Sequence, residues 1–167
     1  MSKNRLLTAA LATAAAAAAL LLTGCAPIVA MQPAADANNA KCAEVTVRLP
    51  DVVADLPERQ TDAQATGAWG DPAEILLHCG VAVPGPTTLQ CQTVNGVDWI
   101  IDDSQKPQYR FTTYGRTPAV ELVMDSNKVA SSTVLADLGP AVSVLPITGK
   151  CTGASDLPEP APIPTDG

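Results

Sequence analysis

Gln92-Thr93-Val94-Asn95-Gly96-Val97-Asp98-Trp99 carries the strongest local structural signal in this chain. Asn-Gly accepts the positive φ angles of the two-residue turn that matches the right-handed twist of paired strands, so it predicts a hairpin with Val94 opposite Val97 and Gln92 opposite Trp99. Upstream, from Glu74 to Val83, the residues Ile75, Leu77, Cys79, Val81 and Val83 alternate with others, the pattern of a strand with one buried face. Downstream, Gly115-Arg116-Thr117-Pro118 separates Tyr109–Tyr114 from Ala119–Asp125. A hairpin there puts Phe111 and Thr113 on one face with Val120, Leu122 and Met124, and Arg110, Thr112, Tyr114 and Glu121 on the other. Together these segments predict an antiparallel meander of about five strands from Ile75 to Asp125.

The flanks have a different character. After Asp125, Ser126 or Asn127 is placed to cap a helix starting near Lys128, with Val129, Thr133, Val134, Leu135 and Leu138 at helical spacing. Gly139-Pro140 either ends that helix or separates it from Ala141–Leu145. Before the meander, Glu44–Arg48 reads as an added strand, and Asp51–Leu56 as no more than a turn of helix. The expected fold is therefore α+β: a meander followed by a C-terminal helix, forming one domain over residues 41–153. Residues 154–167 contain Leu157-Pro158-Glu159-Pro160-Ala161-Pro162-Ile163-Pro164 and read as a proline-rich disordered tail.

The first 24 residues read as a signal peptide. Lys3 and Arg5 precede an uncharged run from Leu6 to Leu22, which ends in Leu22-Thr23-Gly24-Cys25, the lipobox pattern of bacterial lipoproteins. Cys25 is thus the candidate lipidation site. Residues 25–40, with Pro27, Pro33, Asp36, Asn38 and Asn39, lack periodicity and read as a flexible tether averaging roughly 20 Å in span. Cleavage before Cys25 removes both early cations, leaving 8 basic and 17 acidic residues, a charge of −9 over 143 residues. An acidic body is repelled by anionic headgroups, so acyl chains must hold it to the extracytoplasmic face of the membrane. The scarcity of cations argues against nucleic acid as a partner.

Setting Cys25 aside leaves Cys42, Cys79, Cys91 and Cys151, an even set expected to form two disulfides in an oxidising compartment. Three connectivities are open. Val83-Pro84-Gly85-Pro86-Thr87 reads as a turn, and a hairpin about Gly85 would set Cys79 opposite Cys91, leaving Cys42 for Cys151.

No catalytic set assembles from the sequence. His78 is the single histidine, no GxSxG surrounds a serine of the mature domain, and no phosphate-binding glycine loop is present. Without a CxxC pair no metal centre is expected. Asp98, Asp102, Asp103 and Glu121 offer carboxylates, but their spacing matches no Ca²⁺ loop, and solvated faces explain most of them. No cofactor is expected. The candidate binding surface comprises Trp69, Arg110, Tyr114, Arg116 and Glu121: two arginines beside a tyrosine suit a small anionic ligand or a partner's carboxylate. The plainer alternatives are a cross-strand ion pair and, for Trp69, a plug over the core.

The ordered set Cys42, Leu49-Pro50, Ala68-Trp69-Gly70, His78-Cys79-Gly80-Val81, Cys91, Val97-Asp98-Trp99 and Thr112–Glu121 resembles an actinobacterial family of secreted proteins and lipoproteins catalogued as a domain of unknown function. The resemblance spans nearly all of residues 41–151. It implies a cell-envelope location and no established activity. His78 departs from the arginine expected at that position of the family, which weakens a catalytic role for it. The expectation is a membrane-anchored envelope lipoprotein, a non-enzymatic binding module with an envelope protein or small anionic ligand as partner. The alternative is an envelope hydrolase or cell-wall-acting enzyme with a carboxylate-based site.

Overall fold

The computed structural model describes residues 27–152. The elements are α1 (Ala40–Thr46), β1 (Val52–Val53), β2 (Leu56–Arg59), β3 (Thr66–Trp69), β4 (Ile75–Val81), β5 (Gln90–Val94), β6 (Val97–Gln105), β7 (Gln108–Thr113), β8 (Ala119–Asp125) and α2 (Ser131–Val142). The strands form one eight-stranded sheet in the order β1-β2-β3-β4-β8-β7-β6-β5, with every neighbouring pair antiparallel. Both helices pack on one face of it. The signal peptide, Cys25 and the proline-rich tail lie outside the described residues.

The first hairpin forms in the expected register, with Val94 facing Val97 and Gln92 facing Trp99; in the second, Phe111 and Leu122 share the expected face and stand opposite each other across β7 and β8. The inner sheet face carries Ile75, Leu77, Cys79, Val97, Trp99, Phe111, Val120, Leu122 and Met124, which meet Val134, Leu135, Leu138 and Val142 of α2 in one core. Burying such side chains stabilises by roughly 2 kcal/mol each, so this layer supplies much of the driving force.

The meander needs revision. Eight strands form, and β4 pairs with β3 and β8, not with β5. Residues 82–89 therefore make no hairpin about Gly85. They cross from the middle of the sheet to its far edge, so that β8, β7 and β6 stand between β4 and β5. The disulfides follow the sheet. Cys42 pairs with Cys79 and Cys91 with Cys151, overturning the expected Cys79–Cys91 and Cys42–Cys151. Three strands separate the two middle cysteines. Cys79 points to the helical face and meets α1, whereas Cys91, opposite Ile100, shares the other face with it.

Glu44–Arg48 is no strand. Asn39 accepts from the Lys41 N–H at 3.0 Å and caps α1, which buries Cys42 and Val45 at i, i+3 spacing. Asp51–Leu56 forms the β1–β2 hairpin instead of a helical turn. Ala54 and Asp55, at φ 48° and 64°, supply its two-residue turn, with the Ala54 N–H held by Asp137 Oδ2 at 2.9 Å. At α2 the N-cap is Ala130, without a side-chain bond. Ser126 and Asn127 belong to a preceding turn in which Asp125 Oδ1 accepts from the Asn127 N–H at 2.8 Å. Pro140 does not end α2, which runs on to Val142. The core contacts of Leu138, Ala141 and Val142 outweigh the one ladder bond that the proline removes.

The tether reading fails from Pro27 onward. Val29 N–H donates to Gln60 at 2.8 Å and Asp36 N–H to Gly80 at 2.9 Å, Met31 N–H donates to Asp62 Oδ1 at 2.8 Å, and the Met31 side chain is buried. Isolated apolar residues at irregular spacing give no periodic signal, yet Met31 and Ala37 are buried against the domain. Among the described residues no helix is long and apolar enough to cross a membrane.

Candidate functional site

The sheet face opposite the helices carries the polar residues. Cross-strand register lines up Thr66 and His78, then Glu121, Thr112, Ile100 and Cys91. One row over, Arg110 on β7 is paired with Asp102 on β6. The crossing segment after β4 lies along this face. Pro84, Gly85, Pro86, Thr87 and Leu89 wall a recess of about 280 Å3 whose floor is Ile100, Asp102, Arg110 and Thr112. A second recess of about 170 Å3 continues it past Leu89 and Ile100 to Tyr114, Cys151 and Thr152. The result is a groove between the crossing segment and the C-terminal segment fixed by the Cys91–Cys151 bond.

The expected surface divides. Arg110 and Glu121 come together, Nη1 to Oε1 at 2.6 Å, with the arginine side chain 45 % exposed and the glutamate 16 %. Tyr114 lies in the adjoining recess. The other two do not join them. Trp69 is the last residue of β3 and is fully buried, its Nε1 donating to the Pro50 carbonyl at 2.9 Å. Its indole folds back over Gly67, where a Cβ would stand 2.8 Å from the ring. The Gly67-Ala68-Trp69 sequence is therefore a core device, and the loop-anchor reading of Trp69 is corrected. Arg116 is only 3 % exposed. Its guanidinium donates to the carbonyls of Ser143 at 3.1 Å, Leu145 at 2.6 Å and Gly96 at 3.0 Å. It ties the C-terminal segment to two hairpin tips and offers nothing to a ligand. Burial works against its charge, and Asp98 partly offsets this.

Two groups weighed in the sequence for other chemistry, and not for the binding surface, come near Arg110 and Glu121. Asp102 lies on the groove floor beside Arg110, and hydrogen bonds from Ser104 hold its carboxyl below the usual range. His78 stands opposite Glu121, with a buried Nδ1 that has no hydrogen-bond partner. Burial pushes its pKa down, against the pull of Glu121. The periodicity of β4 already put His78 on the outer face. Its neighbours became visible only with the β4–β8 pairing.

The remaining acids hold structural partners. Asp98 accepts from Thr93 and, at 2.7 Å, from the Cys151 N–H, and Asp103 pairs with Lys106. Among the described residues no group of three His, Cys, Asp or Glu side chains gathers to hold a metal ion. An exposed arginine, oriented by Glu121 and standing on a groove floor with Ile100 beside Leu89, can meet a carboxylate or another small anion through its guanidinium.

No curated protein and no solved structure gives a significant match to the chain. The family model described as protein of unknown function, DUF3515, matches residues 6–148, and the chain belongs to that family.

Proposed function

We propose that this chain is an envelope lipoprotein, anchored through acylated Cys25 to the extracytoplasmic face of the membrane, whose domain is a non-enzymatic binding module. The carrying observation is the half-exposed Arg110 on the groove floor. Glu121 orients its guanidinium through one nitrogen, leaving further N–H donors free to meet a carboxylate of a partner protein or a small anionic ligand. The runner-up, a carboxylate-based hydrolase, draws less support, because Asp98, Asp102, Asp103 and Glu121 each already serve a neighbouring donor.

The test is in-cell photocrosslinking from a photoreactive residue at Thr112, on the groove floor, and from a control at Val47, on α1's C-terminal side. A discrete adduct from Thr112, absent from Val47 and lost in the Arg110→Ala background, is the expected result. Equal adducts from both positions, or adducts indifferent to Arg110→Ala, would remove the groove as the binding site.

A further inference from the structure

We propose that in the acylated protein the domain rests directly on the lipid surface, with one fixed end of the sheet toward it. This rests on the lipoprotein reading given above, and it adds which surface meets the membrane. The Pro27 carbonyl accepts from Arg59 Nη2 at 2.8 Å. Arg59 is itself buried and also holds the Gly70 carbonyl, 2.9 Å, and the Asp71 carboxylate, 2.9 Å. Pro27 is thus clamped at the β3–β4 turn. Val29 then pairs beside Thr61, Met31 binds Asp62, and Asp36 reaches Gly80 at the other end of the sheet. The chain enters at one end of the domain and runs the length of its edge before α1 begins.

Only Ala26 separates Cys25 from Pro27, so their Cα atoms are at most about 7 Å apart. A free fifteen-residue coil would average roughly 20 Å and let the domain tumble. The clamped chain permits neither. Register identifies the end concerned. Ile75 faces Met124, Gln108 faces Asp125 and Gln105 faces Gln108, so Gly70–Glu74, Lys106-Pro107 and Ser126–Lys128 lie at the same end as Pro27. The Asn95-Gly96 tip and Gly115 lie at the opposite end. Ile28, 58 % exposed, adds an apolar side chain at the membrane end. Asp71, Glu74 and Asp125 stand there against Lys106, paired with Asp103, and Lys128, so the end carries no cationic patch and the short anchor, not attraction to headgroups, sets the orientation.

The test uses the full acylated protein in nanodiscs, with a paramagnetic headgroup-labelled lipid and amide relaxation as the readout. Intact-mass measurement comes first: a bare Cys25 would overturn the lipoprotein reading itself. With Cys25 acylated, the amides of Gly70, Asp71, Ala73, Glu74, Gln105, Lys106, Gln108 and residues 126–128 should relax several-fold faster than those at 95–97 and 115–116. Uniform or reversed enhancement would overturn the orientation while leaving the anchor intact. Inserting about ten Gly/Ser residues between Ala26 and Pro27 should flatten the gradient. A gradient unchanged by the insertion would show that the surface seeks lipid on its own, against the clamp.

Discussion

The Asp36 N–H donates to the Gly80 carbonyl at 2.9 Å, and the contact exists because residue 80 has no side chain. Gly80 sits at φ +93°, and a Cβ there would stand 2.4 Å from the Asp36 carbonyl carbon and oxygen. The ladder between β4 and β8 shifts register at this point, between Cys79 and Val81. The bulge turns the Gly80 carbonyl out of the ladder and toward the N-terminal segment. Gly80→Ala should therefore cost about 2–4 kcal/mol, from the left-handed backbone and the displaced segment together. Denaturant midpoints give the cost. Hydrogen exchange at the Asp36 amide should accelerate more than at Leu122, and unchanged exchange there would refute the contact's role.

Trp69 and Trp99 make a matched pair of opposites. Both rings are fully buried, but Trp69 Nε1 donates to Pro50, whereas Trp99 Nε1 has no partner. Replacing either by phenylalanine removes similar apolar volume, so the difference isolates the indole N–H. Trp69→Phe should be more destabilising than Trp99→Phe by about 1 kcal/mol. Equal losses in thermal or urea unfolding would show that the Trp69 bond contributes nothing.

The hairpins of β5–β6 and β7–β8 were legible because Asn95-Gly96 and Gly115–Pro118 are local devices whose register follows from a period of two. That Arg110 and Glu121 share the outer face was legible for the same reason; in the register Glu121 stands opposite Thr112, and Arg110 reaches it diagonally. The partner of β4 was not, since Ile75–Val81 is compatible with any strand of matching face, and burial of the whole sheet selects β8. That one non-local choice controls the disulfides, the groove under Pro84–Leu89 and the surroundings of His78. Arg116 was misplaced for a related reason: an arginine read as exposed is buried by Ser143–Leu145, distant in sequence, and for Trp69 the partner Pro50, equally distant, decides for the plug over the core against the loop anchor.

His78 gives the stability a pH dependence of known sign. Burial lowers its pKa in the folded state, with Glu121 opposing and Arg110 adding to the shift. The unfolded chain then binds more protons than the folded one between the folded value and about pH 6.5. Stability should fall as pH drops through that window, and His78→Gln should remove this component. Glu58 titrates with the opposite sign, its pKa being raised by burial and Asp51, but in the carboxylate range below. Unfolding midpoints at about pH 7.5 and about pH 5.5 lie on either side of the unfolded histidine's value of about 6.5. A wild-type difference matched by the Gln variant would exclude His78 as the source.

Arg116 holds three carbonyls that no other side chain among the described residues reaches. Arg116→Ala leaves them facing a cavity and should cost about 3 kcal/mol or more. Arg116→Lys keeps the charge but cannot span Ser143, Leu145 and Gly96 at once, so it should recover only part of the loss. Full recovery by lysine, read from denaturant midpoints, would mean that charge and not the planar fork is what the site uses.

The two disulfides close segments 37 and 60 residues long, and loop entropy assigns each about 4 kcal/mol. Their surroundings differ more than their loops. Cys42 and Cys79 are fully buried in the core and join α1, a helix of only 7 residues, to the middle of the sheet. Cys91 and Cys151 are partly exposed beside the groove, where a thiolate can approach. Mild reductant acting on the folded protein should therefore open Cys91–Cys151 first. Peptide mapping after alkylation should find those two labelled while Cys42 and Cys79 stay joined. The Asp98 bond to the Cys151 N–H and the Arg116 bonds to Ser143 and Leu145 still hold the C-terminal segment at that stage, so the domain should remain folded. Breaking Cys42–Cys79 requires α1 to leave the core, so its reduction should track global unfolding. Early labelling of Cys79 would contradict its burial, and a peptide linking Cys79 to Cys91 in unreduced protein would contradict the strand order itself, because three strands stand between β4 and β5.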